Sequence, residues 1–303
     1  MSIEKVNFPS KGLNIIGNLY HPSTSNRKNA AIIVVHPMTS IKEQSPTTYA
    51  TRLAAAGFFV LTYDAAYQGE SDGEPRGLED PFQRAEEVRS AVTFLSTRDE
   101  VDADRIGVLG ICAAGGYACF AAQTDLRLKA VAGVSAVCSG EIMRTGLIEN
   151  SSDRDTLLQG LKAAGEARIA EARGEPVQVN QALPATLDDV PKDAPHLYKE
   201  LVDYYKTPRG QHSRAPGIYA ITSLSYLANY DSFAFNEMVS PRPVLMIAGS
   251  DSATRYYSER AMEKTREPKE LFIINGQTHA GLYDDASVSG PRLVDFFGSH
   301  LSV

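Results

Sequence analysis

The stretch RIGVLGICAAGGYACF, residues 105–120, places Cys112 between an apolar run and an alanine-rich segment. The run is typical of a buried strand and the segment from Ala113 of a helix, so Cys112 lies at a strand-to-helix turn. The residues two before and two after it, Gly110 and Ala114, are small. A sharp turn that presents a nucleophile needs small residues there, since larger side chains would collide. The pattern predicts a nucleophile elbow with Cys112 as the attacking thiol.

A phosphate-binding loop is the first alternative for this turn. Such a loop needs Lys and then Ser or Thr after its second glycine, whereas Gly115 is followed by Gly116 and Tyr117. The dinucleotide motif G-x-G-x-x-G fails as well, because Gly107 and Gly110 are three residues apart. The phosphate interpretation is therefore excluded.

A purely structural thiol is the second alternative. The sequence contains three cysteines, an odd number that does not form a disulfide framework in a chain of this length. We expect free thiols and a cytoplasmic protein. Cys119, on the helix, and Cys138, at a strand end, are interpreted as buried structural residues. Cys112 differs, because the dipole and free N–H groups of the following helix are expected to favour its thiolate.

A thiol nucleophile also needs a base. In enzymes built on a nucleophile elbow, the order along the chain is nucleophile, acid and histidine. Among the six histidines, His279 directly follows the last predicted strand, ELFIING, in the loop QTHAGLYDD. We therefore expect His279 to be the base. Asp251 follows the preceding strand, in VLMIAGSD, and is the expected acid. The rival carboxylates are Glu141, Glu259, Asp284 and Asp285.

The oxyanion of an acyl-transfer reaction needs hydrogen-bond donors. The N–H of Ala113, directly after the nucleophile, is the first expected donor. The second comes from the loop in AAIIVVHPMTS. Pro37 has no N–H, so Met38 is expected to supply it. His36 is expected to shape this loop rather than to act as the base.

Strands and helices alternate around these residues. Buried strands are predicted at Ala31–Val35, in FFVLTYDA and before Cys112, and they resume in RPVLMIAGS. SPTTYATRLAAAG predicts a helix that Ser45 caps and Gly57 ends. This alternation predicts an α/β fold with a doubly wound, mostly parallel sheet covered on both faces.

The alternation stops between residues 140 and 235, where the sequence is helical and charged. We predict a core formed by residues 1–139 and 236–303, with residues 140–235 inserted as a helical cap. Both ends of the insertion open at the sheet edge that carries the site, so the cap is expected to cover it. Its tyrosines, namely Tyr198, Tyr204, Tyr205 and Tyr226, are expected to line a pocket for the acyl group; the alternative is that they pack the cap onto the core or onto another subunit.

Composition argues against several classes of function. The formal net charge is −7, and no basic run is present, which argues against nucleic acid as a partner. No apolar segment is long enough to span a bilayer, so no membrane partner is expected. No H-E-x-x-H or paired-cysteine motif occurs, and neither metal nor cofactor is expected. The expected partner is a small-molecule or carrier-bound acyl substrate; the oligomeric state is open, a homodimer included.

These motifs together resemble those of an α/β-hydrolase over nearly the whole chain. GICAAGGYA is similar to the cysteine elbow of dienelactone hydrolases. A group of bacterial and fungal hydrolases, which includes polyketide transferases and thiohydrolases, shares the longer motifs HPMTSIKEQ, YDAAYQGESDGEPRGLEDP, VDADRIGVLGICAAGGYA and GQTHAGLYD. The resemblance implies the α/β-hydrolase fold, with the nucleophile at Cys112 and the histidine at His279.

The expected function is acyl hydrolysis or acyl transfer on ester or thioester substrates. Cys112 would form a thioester, His279 would take its proton or pair with its thiolate, and Asp251 would orient the imidazole. A peptidase of the same fold is one alternative, and it would cleave amides as well as esters. A binding protein on an inactive hydrolase fold is the other, and the complete set of three residues argues against it.

Overall fold

A mixed eight-stranded sheet forms the centre of the computed structural model, which describes residues 1–23, 25 and 27–302. Its spatial order is β1-β2-β4-β3-β5-β6-β9-β10. The first two strands form an antiparallel hairpin, and β2 also pairs antiparallel with β4; all other pairs are parallel. The strands are β1 (Ser2–Ser10), β2 (Leu13–His21), β3 (Ala31–Val35), β4 (Phe59–Tyr63), β5 (Ile106–Ile111), β6 (Leu128–Val134), β7 (Val179–Gln181), β8 (Ile218–Ala220), β9 (Val244–Gly249) and β10 (Lys269–Ile274).

Helices cover both faces of this sheet. They are α1 (Ser45–Ala55), α2 (Pro81–Ser96), α3 (Ala113–Thr124), α4 (Ser139–Thr145), α5 (Arg154–Ala172), α6 (His196–Lys206), α7 (Leu224–Leu227), α8 (Arg255–Lys264), α9 (Gly281–Asp284) and α10 (Ser289–His300). Residues of α2, α3 and α8 share one core with Ile33 and Val35, whereas α1 and α10 share the other with Ile32 and Val34. Strand β3 is apolar throughout because both of its faces are buried. The predicted doubly wound α/β fold is confirmed.

The first helix begins differently from the expectation. Ser45 lies inside α1, and Gln44 takes the N-cap position without a side-chain hydrogen bond. The predicted Ser45 cap is therefore wrong. Pro46 nevertheless lies in the first turn, where its missing N–H costs nothing.

The segment between β6 and β9 leaves the alternating pattern. It contains four of the helices, α4 to α7, and the short strands β7 and β8, which pair antiparallel in a separate two-stranded sheet. Neither strand is fully buried, in agreement with the absence of an apolar run in the sequence. Within the described residues, no helix is long and apolar enough to cross a membrane.

The parallel strands bring the predicted chemistry to one edge of the sheet. Strands β3, β5, β9 and β10 run in the same direction, so the loops that follow them meet at their carboxyl ends. These loops carry Met38, Cys112, Asp251 and His279 respectively. Open α/β sheets bind ligands at this edge.

Candidate active site

Cys112 occupies a strained turn between β5 and α3. Its φ of 56° and ψ of −122° lie outside the regions that non-glycine residues ordinarily adopt. The turn is possible because Gly110 has no side chain: a Cβ there would lie 2.0 Å from the carbonyl oxygen of Ala114. The Cys112 N–H donates to the Val134 carbonyl at 3.0 Å and fixes the turn to β6. This is the geometry of a nucleophile elbow.

The Cys112 side chain is half-buried, and its resting form is the thiol. Burial raises the pKa of Cys112 to about 11, although hydrogen bonding from Tyr283 and from the Ala113 N–H lowers it in part. A helix N-terminus lowers the pKa of a thiol, but the cost of desolvating the thiolate outweighs this effect here. The expectation that the turn favours the thiolate is therefore not met in this structure.

His279 lies in the loop after β10, and its ring is buried. Its Nε2 is 2.9 Å from the hydroxyl of Tyr283, and its Nδ1 is 2.5 Å from Oγ1 of Thr254. The hydroxyl of Ser135 donates to the His279 carbonyl at 3.0 Å and holds the backbone against the end of β6. Burial lowers the pKa of His279 to about 4, so the imidazole is neutral at physiological pH.

Asp251 does not contact this imidazole. Its N–H donates to the Gln277 carbonyl at 3.0 Å, and its exposed carboxylate accepts a 2.7 Å hydrogen bond from the Ser250 hydroxyl. Thr254, three residues further along, is the residue that reaches Nδ1. The structure therefore does not contain the predicted Asp251–His279 pair.

The rival carboxylates are engaged elsewhere as well. Asp284 accepts two hydrogen bonds of 2.7 Å from Arg209, and Asp285 accepts one of 2.8 Å from Gln277. Glu141 pairs with Arg260 and Glu259 with Arg255. In the described part of the chain, no carboxylate is hydrogen-bonded to His279 or shifts its pKa.

The loop after β3 presents Met38 beside the elbow, where its side chain packs against the same core as Cys112. In the described residues, the N–H of Met38 has no protein acceptor, and that of Ala113 is directed at the Cys112 sulfur. The Met38 N–H can therefore take a substrate oxygen, whereas the Ala113 N–H would have to leave the sulfur to do so. Thr39, with a φ of 59°, turns the chain away directly afterwards.

His36 fixes this loop. Its Nε2 accepts the Ala65 N–H at 2.9 Å, so Nδ1 carries the proton and donates to the Pro37 carbonyl at 2.7 Å. Burial and the nearby Arg84 guanidinium hold the pKa of His36 well below its usual value. With both nitrogens engaged, His36 has no free atom to act as a base.

A buried polar cluster beneath the site was not found from the sequence. Arg84 donates to the His36 carbonyl at 2.6 Å and to Glu79 at 3.0 Å. Glu79 also accepts the Tyr117 hydroxyl at 2.8 Å and the Gln68 amide at 2.7 Å. The cluster connects the oxyanion loop to α3, directly behind the elbow. Charged residues usually lie at the surface, so nothing in the sequence pattern indicated that Arg84 and Glu79 pair in the interior.

Comparisons with known proteins agree with this geometry. A family model described as PET hydrolase-like matches residues 8–141. The chain is 35% identical to the uncharacterized protein YcjY of Escherichia coli K12, over 94% of this chain and 92% of the relative. The crystal structure of PA2218 from Pseudomonas aeruginosa superimposes with a TM-score of 0.92 at 32% identity, covering 99% of this chain and 94% of that one. The α/β-hydrolase GrgF from a Penicillium species superimposes with a TM-score of 0.84 at 22% identity, over 99% of both chains.

The chain belongs to the α/β-hydrolase superfamily. The predicted family and the predicted enzyme class, an α/β-hydrolase of the esterase or acyltransferase type, are both confirmed at this level. GrgF is also described as a polyketide transferase, and the sequences are 25% identical over 81% of this chain.

Tyr283 is the residue of this α/β-hydrolase site that the sequence analysis missed. It lies on α9, four residues after His279, and its ring packs against the imidazole at a centroid distance of 5.4 Å. Its hydroxyl is near both Nε2 of His279 and the Cys112 sulfur. The spacing of four residues, one helical turn, was the available signal.

The four predicted tyrosines of the inserted segment do not line one common pocket. Tyr204 is buried and packs edge-on against Tyr205 at 4.9 Å and against Tyr283 at 5.0 Å, so α6 reaches the histidine loop. Tyr226 is half-buried on α7, with the Arg168 guanidinium 5.1 Å above its ring. Tyr198 is half-buried on α6, and no contact with the thiol or the imidazole is found for it in the described structure.

Helix α6 is also bonded to the histidine loop of the hydrolase core. Glu200 accepts the N–H of Ala280 at 3.0 Å, directly after the histidine. Arg209, just beyond the helix, pairs with Asp284 through two hydrogen bonds and donates to the Ala280 carbonyl at 3.0 Å. The backbone on the C-terminal side of His279 is therefore held by the inserted segment.

Two cavities open next to the inserted segment of this hydrolase, and neither Cys112 nor His279 lines them. One has a volume of about 270 Å³ and is lined by Thr39, Tyr67, Arg76 and Ile218 among others. The other, of about 650 Å³, is lined by Tyr205, Lys206 and His212 among others. Both share Ala215 and Pro216, so they adjoin. Among the described residues, no three His, Cys, Asp or Glu side chains are grouped so as to hold a metal ion.

Proposed function

We propose that this protein transfers acyl groups from esters or thioesters through a thioester on Cys112. The observation that carries the proposal is the elbow conformation of Cys112, with its φ of 56°, next to the hydrogen-bonded His279–Tyr283 pair. A strained backbone that holds a half-buried thiol next to the N–H groups of Met38 and Ala113 has a cost in stability and a clear use in catalysis. We place the reaction in the cytoplasm, where the free thiols of this chain stay reduced.

Proton transfer in this proposal begins from a neutral thiol and a neutral imidazole. As the Cys112 sulfur attacks the acyl carbon, the thiol proton passes to the oxygen of Tyr283 while the Tyr283 proton passes to Nε2 of His279. The carbonyl π pair moves to oxygen, where the N–H groups of Met38 and Ala113 bind it. Thr254 holds the imidazole by its Nδ1.

The tetrahedral intermediate then collapses and leaves the acyl group on sulfur. The leaving alkoxide or thiolate takes the proton from His279, again by way of Tyr283. Water or an acceptor alcohol enters next, and the neutral His279 removes its proton as it attacks the thioester. Expulsion of the Cys112 thiolate, which takes the proton back, completes the cycle with hydrolysis or with acyl transfer.

We further propose that residues 140–235 form a cap that selects the acyl group. The support is the position of α6, which carries Tyr205 on the wall of the 650 Å³ cavity and is bonded to the histidine loop. Tyr204 supports this wall from behind, since it is buried among the other rings. A cavity of this size suits a bulky or long acyl chain rather than acetyl.

The test is a panel of acyl thioesters and esters, read by intact-protein mass spectrometry for acylation of Cys112. We expect acylated wild type, no adduct on Cys112→Ala, and a fall in turnover of at least ~1000-fold for His279→Ala. Alcohol acceptors added to the assay distinguish transfer from hydrolysis, and anilide reporters detect a peptidase. Turnover that persists in Cys112→Ala would overturn the proposal, and a chain inert towards the whole panel would favour the binding-protein alternative.

A further inference from the structure

The hydroxyl of Tyr205 lies closer to the chemistry than an acyl-pocket residue requires. The ring projects from α6, packs edge-on against Tyr204 at 4.9 Å and lies 6.0 Å from the ring of Tyr283. One side of the residue lines the 650 Å³ cavity, yet the hydroxyl oxygen itself is buried. Tyr205 therefore lies between this cavity and the aromatic side of the histidine loop.

The neighbours of this hydroxyl come from three different catalytic loops. Ser40 of the oxyanion loop and Tyr283 of the histidine loop lie within hydrogen-bonding reach of it, and Cys112 of the elbow is close enough to act on it by its charge. In the described part of the chain, neither hydroxyl contact has the geometry of a well-formed hydrogen bond. A buried hydroxyl without a partner costs free energy, and such groups are rare in folded proteins. A donor kept at this cost beside a nucleophile has its natural acceptor in the substrate.

We propose that Tyr205 is a catalytic residue that donates a hydrogen bond to the acyl carbonyl oxygen as Cys112 attacks. The inference rests on the proposed function, because it assigns a third donor to the same reaction. The S–C bond forms, the carbonyl π pair moves to oxygen, and the Tyr205 proton stays on its phenol while bonded to the new oxyanion. Burial holds the pKa of Tyr205 well above its usual value of 10, so the phenol remains protonated.

This role differs from that of the neighbouring Tyr204. Tyr204 is buried, and its ring lies between the Arg209 guanidinium and the other tyrosines. Its hydroxyl interacts with Ser45, away from the elbow. Packing accounts for Tyr204, whereas the Tyr205 hydroxyl is buried next to the nucleophile without a well-formed hydrogen bond.

The first experiment removes only that oxygen. We expect Tyr205→Phe to lower kcat about 100-fold, the usual effect of losing one oxyanion donor, with KM changed less than about threefold. The Tm is expected to equal or exceed that of the wild type, because an unpaired hydroxyl leaves the interior. Tyr219→Phe is the matched control: this tyrosine lies on β8, its hydroxyl accepts a 3.4 Å bond from Asn180, and no loss of activity is expected.

The second experiment separates a catalytic role from a structural one. An aldehyde analogue of the best substrate adds to the Cys112 sulfur and gives a tetrahedral oxygen, whereas the matching primary alcohol binds without addition. We expect Tyr205→Phe to weaken the aldehyde at least ~30-fold and to leave the alcohol unchanged, since the donor acts on the tetrahedral state. Equal aldehyde affinity in the two proteins, or an equal loss for both ligands with a lowered Tm, would overturn the proposal.

Failure of this inference is distinguishable from failure of the proposed function. Acylation of wild-type Cys112 together with a fully active Tyr205→Phe removes only the third donor. The absence of any Cys112 adduct, with turnover retained in Cys112→Ala, removes both.

Discussion

The Nδ1 atom of His279 lies 2.5 Å from the Oγ1 atom of Thr254, at the position where a triad enzyme places a carboxylate. A neutral hydroxyl can orient the imidazole and select its tautomer, but it offsets little of the charge of an imidazolium. Burial therefore lowers the pKa of His279 to about 4 without a charge to oppose it, and burial likewise raises the pKa of Cys112 to about 11. A preformed thiolate–imidazolium pair is therefore disfavoured, and the thiol proton has to leave as the sulfur attacks.

Substitution of Thr254 should affect turnover more than substitution of Asp251. We expect Thr254→Val to lower kcat/KM by about 10- to 100-fold, because His279 loses the bond that fixes its ring, within the roughly 10²- to 10⁴-fold supplied by a positioned base. Asp251→Asn, an equally conservative change on the same loop, should stay within about twofold of the wild type. The measurement is steady-state kinetics on one activated thioester. The opposite ranking would restore Asp251 as the acid.

Alkylation by iodoacetamide should report the protonated state of Cys112. Because burial raises the pKa of this thiol to about 11, we expect slow labelling at pH 7 and an increase of about tenfold per pH unit up to roughly pH 10. Cys119 and Cys138 are buried and should be labelled later than Cys112 at every pH. Peptide mass spectrometry identifies the modified residue. Rapid labelling of Cys112 that is independent of pH above 6 would indicate a thiolate and contradict this prediction.

Activity should be retained at lower pH than is usual for an enzyme with a histidine base. Since burial lowers the pKa of His279 to about 4, the imidazole remains neutral and able to accept a proton down to that pH. We expect kcat/KM to fall only below roughly pH 5, instead of near the ordinary histidine value of about 6.5. Tm measurements over the same range separate loss of activity from unfolding. A half-point between pH 6 and 7 would mean that a charged partner raises the pKa of His279.

Glycine at position 110 should be required for the elbow. A methyl group there would meet the Ala114 carbonyl at 2.0 Å, so we expect Gly110→Ala to lower the free energy of unfolding by about 1–3 kcal/mol or more. Gly165→Ala is the matched control, because no atom lies within 4 Å of a Cβ at that position in α5. Alanine in a helix should raise the free energy of unfolding by about 0.5–1 kcal/mol there. Urea denaturation measures both.

The sequence was sufficient for features that depend on neighbouring residues. Small residues at 110 and 114 are needed by the turn itself, and the strands were readable because a strand buried on both faces is apolar throughout. The position of His279 followed from its place in the loop after the last predicted strand, β10. Local patterns of this kind do not depend on how distant parts of the chain pack.

The contacts that were missed depend on groups distant in sequence or on loop geometry. Asp251 and Thr254 lie three residues apart, and the backbone bond from Asp251 to Gln277 decides which of them reaches the imidazole. Ser45 is not a cap because the helix begins one residue earlier: the Thr47 N–H donates to the Gln44 carbonyl at 3.0 Å, and Gln44 is the N-cap residue. Tyr205 interacts with Cys112 although the two residues are 93 positions apart in the sequence.

The histidine loop is attached to the segment 140–235 at two points, Glu200 to Ala280 and Arg209 to Asp284, and this has an evolutionary consequence. In the proposed function, the residues that select the substrate and those that hold the histidine loop belong to this one segment, so the two properties are inherited together. A chimera that takes residues 140–235 from a relative would also take that relative's support for His279. New specificity in this lineage is therefore expected to arise with compensating changes in the loop around residue 280, and not by exchange of the segment alone.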